Sequence, residues 1–157
     1  MLVSGFLGEA SGAEGMVGGQ MIDLEAENQA LDIGAITRLQ RLKTGALIGF
    51  ACEAGAVLGK APAPLREALR AYAQALGLAF QMTDDLLDAE GSTQELGKRA
   101  GKDAEQGKAT FVSLLGIERA RAQAKLLAEQ AVTHLDLFDE KADLLRDVAR
   151  WVVERRN

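Results

Sequence analysis

Phe80-Gln81-Met82-Thr83-Asp84-Asp85-Leu86-Leu87-Asp88 is the stretch whose reading decides the fold. It closes an amphipathic run that begins after Pro64, in which Leu65, Leu69, Tyr72, Leu76, Phe80, Thr83 and Leu87 recur at three- and four-residue steps. That spacing predicts one helix with a single apolar face. At ~100° per residue, Gln81, Asp84 and Asp88 share an arc of roughly 60° beside the apolar stripe, and Asp85 lies further round, toward the outer face. Asp84 and Asp88 are like charges one turn apart, which costs a few tenths of a kcal/mol in an isolated helix. A cation between them removes that cost. Magnesium is a hard ion that takes oxygen ligands, commonly one or two carboxylates plus substrate phosphates. A solvated acidic helix end would carry the same residues.

Downstream, the chain continues Gly97-Lys98-Arg99-Ala100-Gly101-Lys102-Asp103 and then Gly107-Lys108-Ala109-Thr110. Lysines on glycine-rich backbone after a carboxylate pair suit a phosphate ester held between metal and ammonium. The sequence predicts a polar loop over residues 89–108, longer than most connections in a compact domain and expected to close over bound diphosphate. Upstream, Gly18-Gly19-Gln20-Met21-Ile22-Asp23 places Gln20 and Asp23 on one face of a helix expected from Met1 to about Ala26, although its many glycines weaken that helix. The glycines permit a close helix crossing, with the polar pair either outside or lining a cavity. Asp32 is the expected N-cap of a helix over Ile33 to Leu58. Its stripe is Ile36, Leu39, Ala46, Leu47, Phe50, Ala54 and Val57, and Lys43 falls in the middle of it. Lys43 is either a snorkelling side chain or an ammonium aimed into a polar cavity to hold an anion.

As a set, the FQMTDDLLD stretch, the GKRAGKD and GKAT segments after it, and GGQMID and Lys43-Thr44-Gly45 before it resemble the second aspartate-rich region of the trans-isoprenyl diphosphate synthases. The likeness is to the bacterial farnesyl diphosphate synthase, or geranyltranstransferase, type and runs from about Ala10 onward. It implies an all-α helical bundle in which residues 1–157 form the C-terminal portion of one isoprenyl diphosphate synthase domain. It also implies magnesium-dependent head-to-tail condensation of an allylic diphosphate with isopentenyl diphosphate, giving farnesyl diphosphate. On that resemblance Asp84, Asp85 and Asp88 are the magnesium ligands and Lys43 and Lys98 hold diphosphate. Gln20 and Asp23 border the substrate cavity, and Thr44 and Gln81 turn oxygens toward the allylic cation. The family uses two facing aspartate-rich motifs, of which the first is not found in this sequence. The chain alone is therefore expected to be inactive and to pair with itself as a homodimer or with an N-terminal half. A non-catalytic helical subunit of the same fold and a terpene cyclase or squalene-type relative are the alternatives. The paired Lys43-Thr44-Gly45 and GKRAGKD segments fit elongating synthases better.

Composition agrees with a helical reading. The 157 residues are 48% hydrophobic, only 4% aromatic, and include two prolines. A net charge of −5 with no basic stripe argues against nucleic acid as a partner. The single cysteine, Cys52, lies in an apolar run and is expected to pack as a small hydrophobe in a reducing cytoplasm. No apolar run reaches transmembrane length, and Met1 to Gly15 has no basic leader, so neither stable membrane insertion nor a signal peptide is expected. Toward the end, a short apolar helix over 110–116 and a helix from Ile117 to about His134 are expected, with His134 a structural or surface residue. Asp139 is the expected cap of a last helix, Glu140 to Arg155, with Trp151 in the core.

Overall fold

The computed structural model describes residues 3–26, 31–96 and 109–155. Among these residues every regular element is a helix or helical turn. The first expected helix is two, α1 (Val3–Ser11) and α2 (Met16–Glu25). Glycine is a poor helix former, and Gly12 and Gly15 close a tight turn between them, with Gly15 N donating to Gly12 O at 3.0 Å. Asp32 caps α3 (Ile33–Gln40) as expected, its Oδ1 accepting from Ala35 N at 2.8 Å. The helix then passes through a π-helical segment, Arg41–Gly45, into α4 (Ala46–Leu58). The bend to the next helix is closed by Ala61 N donating to Ala56 O at 2.8 Å, with Lys60 in the left-handed region at φ 53°.

The central helix α5 (Ala63–Leu96) spans 34 residues and carries the aspartates. It does not end near Asp88. The helix runs on through Gly91, so the expected loop cannot begin at Ala89, and residues 97–108 lie outside the described residues. Short α6 (Phe111–Leu115) is capped by Thr110, which accepts from Ser113 N at 3.0 Å while Ser113 Oγ accepts from Thr110 N at 2.8 Å. Then come α7 (Ile117–Thr133), a 3-10 turn (Glu140–Ala142) and α8 (Asp143–Glu154). Asp139 caps the 3-10 turn, accepting from Lys141 N at 3.1 Å, so it precedes α8 without capping it directly.

The core forms where α5 meets α7, α4 and α8. Tyr72, Leu76, Ala79 and Met82 of α5 are buried against Ala124, Ala128 and Ala131 of α7, small residues that let the two helices pack closely. The Tyr72 hydroxyl donates to Leu145 O at 2.8 Å and ties α5 to α8, and burial holds its phenol above the usual range. Trp151 is not in the core. It is 58% exposed, on the face of α8 shared with Leu144 and Val148. Ala149 and Val152 occupy the inward positions, about 160° and 100° round the helix from Trp151. His134 is exposed, and burial raises the pKa of the Cys52 thiol, as expected for a packed apolar neighbour.

One buried charge locks α4 to α5. Glu53 accepts from Arg66 Nε at 3.1 Å and Arg70 Nε at 3.0 Å. Burial pushes its pKa up, but the bonds from Arg66 and Arg70 outweigh that and hold the carboxyl below the usual carboxylate range. A lowered folded pKa contributes stability that is complete above the unfolded value, about 4.3, and lost as pH falls through the folded one. Glu53→Gln should therefore lower stability at neutral pH by about 1–3 kcal/mol, and wild type should converge on the variant in acid urea melts. A constant gap across pH would contradict this.

Candidate active site

The site begins with a backbone contact. A Cβ on Gly19 would stand 2.3 Å from Lys43 N and 2.7 Å from Lys43 Cα, so α2 and the π-helical segment touch main chain to main chain. No other residue type fits there. The crossing sets Asp23, one turn beyond Gly19, against Lys43, whose Nζ lies 2.6 Å from Asp23 Oδ2. Asp23 is buried and the Lys43 side chain is 33% exposed, so the ammonium is anchored on one side and open on the other. On the far side, a Cβ on Gly77 would lie 3.4 Å from Gly45 Cα, bringing the segment against α5 one turn before Gln81. Gln20, Thr44 and Gln81 are all half-buried. A π-helical turn is rare and frequently found at functional sites, and here it is the segment that carries Lys43 and Thr44.

Asp23 and Lys43 were each legible as candidates, but their pairing across 20 residues was not. Lys43→Met should leave the buried Asp23 without this partner and cost about 1–3 kcal/mol in chemical denaturation. Unchanged stability would mean that the pair is replaced by solvent.

Further along α5, the three aspartates part company. Asp84 is half-buried and forms an ion pair with Arg155, a residue that sequence patterning missed because it follows the last periodic position of α8. The Arg155 guanidinium lies 4.3 Å over the Phe80 ring, and its Nη2 is 3.5 Å from Phe80 O. Asp85 does not point to an open outer face. Its Oδ2 accepts from Phe111 N at 2.8 Å and so positions the start of α6. Asp88 is exposed one turn from Asp84. Lys98, with Lys102 and Lys108, lies outside the described residues.

The donor chemistry fits magnesium. Two carboxylates on consecutive turns leave room for the waters and phosphate oxygens that this ion retains. Asp84 already accepts a cation, since a guanidinium is seated on it. Among the described residues no three His, Cys, Asp or Glu side chains gather into a metal cage.

Residues 9–147 match the polyprenyl synthetase family. The chain belongs to that family. It is 41% identical over 156 residues to the farnesyl diphosphate synthase of Escherichia coli, a match over 95% of this chain and 51% of the relative. A solved FPP/GFPP synthase from Zymomonas mobilis superposes with a TM-score of 0.83 at 51% identity, over 96% of this chain and 49% of that one. A geranyltransferase from Helicobacter pylori, solved with magnesium and isoprenyl diphosphate, superposes at 0.74 with 29% identity, over 97% of this chain and 50% of that one. The chain thus spans about half the length of the curated relatives it matches. Among the described residues no helix is long and apolar enough to cross a membrane.

Proposed function

We propose that this polyprenyl synthetase chain supplies one wall of a prenyltransferase active site, which condenses an allylic diphosphate with isopentenyl diphosphate and yields farnesyl diphosphate. The observation that carries the reading is the crossing at Gly19, which joins two motifs distant in sequence and leaves an anchored ammonium facing outward. In this reading Asp84 and Asp88 hold magnesium, with Asp85 contributing through water. When bound, the ion neutralises charge on the departing diphosphate. Lys43 binds a diphosphate oxygen and stabilises the charge that grows there, with Lys98 as a second cation. Gln20 and Asp23 border the cavity, and Thr44 and Gln81 orient oxygens toward the cationic carbon. Released diphosphate takes the proton, so no side-chain base is required.

The same reading makes the 157 residues the C-terminal portion of one synthase domain and inactive alone, because they carry one carboxylate cluster of two. Exposed Val17, Met21 and Leu24 form one apolar face of α2, and Leu144, Val148 and Trp151 another on α8, which supports association with a second copy or with the other half of the fold. A single, half-buried cysteine suits a cytoplasmic setting. The test supplies geranyl diphosphate and labelled isopentenyl diphosphate to the chain alone, and to the chain mixed with a polypeptide carrying the other aspartate-rich motif, with mass followed by light scattering. Negligible turnover alone and elongated product in the mixture are expected. A monomer with ordinary synthase activity would overturn the partial-site reading. Cyclised product, or none in either sample despite a formed complex, would overturn the reaction assigned.

A further inference from the structure

Arg155 holds one of the two carboxylates that the metal reading gives to magnesium. Its guanidinium is seated on Asp84, the carboxylate that begins the acidic turn, and rests on the Phe80 ring. The seat is not fully satisfied. Arg155 Nε is buried and, among the described residues, has no hydrogen-bond partner, a cost that the seated position bears. Asp84 retains 39% of its side-chain exposure, so its oxygens remain open to a second cation. Arg155 also has somewhere to go. It lines a cavity of about 630 Å³ between α5, α7 and α8, whose wall includes Glu154 as well as Glu90, the latter already paired with Arg121. Its own backbone has left the helix, at φ −59° and ψ 144°, so a new side-chain position need not break the α8 ladder.

We propose that Arg155 is an exchangeable counter-ion for Asp84, a positioning residue that neutralises the Asp84–Asp88 pair when metal is absent and yields the carboxylate when metal binds. The inference rests on Asp84 being a magnesium ligand. Its physical content is competition. One carboxylate cannot keep full contact with both a guanidinium and a magnesium ion, because two cations at that spacing repel one another. Arg155 therefore weakens metal binding by this chain and keeps Asp84 in place for it. Trp151 provides a reporter. It is the chain's one tryptophan, and the Arg155 guanidinium lies 5.9 Å from its ring.

The experiment compares wild type with Arg155→Gln, Arg155→Lys and Asp84→Asn, each checked for an unchanged helical spectrum and melting curve. Manganese, a paramagnetic stand-in for magnesium, is titrated and the free ion followed by electron paramagnetic resonance. Trp151 emission is followed in a parallel magnesium titration. Arg155→Gln should bind manganese several-fold more tightly than wild type, with Arg155→Lys closer to wild type. Magnesium should change Trp151 emission in wild type and not in Arg155→Gln. Equal or weaker manganese affinity in Arg155→Gln, while Asp84→Asn loses binding, would overturn the exchange and leave the metal reading intact. Unchanged affinity in Asp84→Asn would overturn the metal reading, and this inference with it. If Arg155→Gln binds more tightly but wild-type emission stays constant on saturation, Arg155 does not leave its seat and the exchange is again overturned.

Discussion

In Asp84→Ala, adding magnesium should give no gain in affinity for inorganic diphosphate, whereas in wild type it should give a large one. The argument is coordination number. On α5, Asp85 is bonded to Phe111 N, so the proposal gives the metal to Asp84 and Asp88. Removing one of two leaves a single monodentate donor against a strongly hydrated ion. A loss of roughly 100-fold in magnesium-dependent affinity is expected, the upper end of what disturbing mere supporting groups costs a metal site. Fold should survive, since the Asp84–Arg155 pair is partly exposed and such pairs contribute about 1 kcal/mol or less. Calorimetric titration with and without magnesium reads the effect directly. Equal magnesium-dependent affinity in both proteins would sink the assignment.

Gly19→Ala should be strongly damaging, because its methyl would strike the main chain of the segment that carries Lys43. The added carbon would fall 2.3 Å from a backbone nitrogen and 2.7 Å from a Cα, neither of which can swing aside as a side-chain tip can. The crossing of α2 over the π-helical segment has to open, at a cost of about 3 kcal/mol, the upper part of the range for overpacking. A melting temperature lower by roughly 6–12 °C follows for a chain of this size. Diphosphate affinity should fall with it, because Asp23 no longer holds Lys43. Gly8→Ala is the matched control. A Cβ there meets nothing within 4 Å, and alanine in a helix is worth about 0.5–1 kcal/mol over glycine, so that variant should be neutral or slightly stabilised. If Gly19→Ala melts like Gly8→Ala, the main-chain contact is not as close as described.

Periodicity made the fold legible. The stripes through Leu69, Tyr72 and Leu76, and through Ile36, Leu39 and Ala54, are buried as their spacing requires. Caps with a local hydrogen-bond logic, such as Asp32, were equally readable. What patterning could not reach was anything decided across the bundle. Trp151 looked like core because it is large and apolar, but helical phase gives the inward positions to Ala149 and Val152. Gly91 and the polar residues around it looked like a loop, yet the helix continues through them to Leu96. In the site, Asp84 and Lys43 stood out by residue type, while their partners, Arg155 and Asp23, are fixed only by how helices cross. Glu53 carried no signal at all, since its arginines lie on the next helix beyond a bend.

The π-helical segment Arg41–Gly45 has one further consequence. Each turn there closes over five residues in place of four, so the helix holds one residue more than an α-helix of the same rise would. An extra residue rotates everything on one side of it by about 100° relative to the other. Ile36 before the segment and Ala56 after it both belong to the core; plain α-helical phase would set them about 200° apart, and the offset stored in the main chain brings that to about 100°. Such an offset is invisible to substitution scanning, which changes side chains one at a time and leaves the residue count alone. Deleting a single position within 41–45 would let the ladder close as ordinary α-helix and turn one half of the core face away from the other. The location of Lys43 is encoded as much by the number of residues in this helix as by their identity.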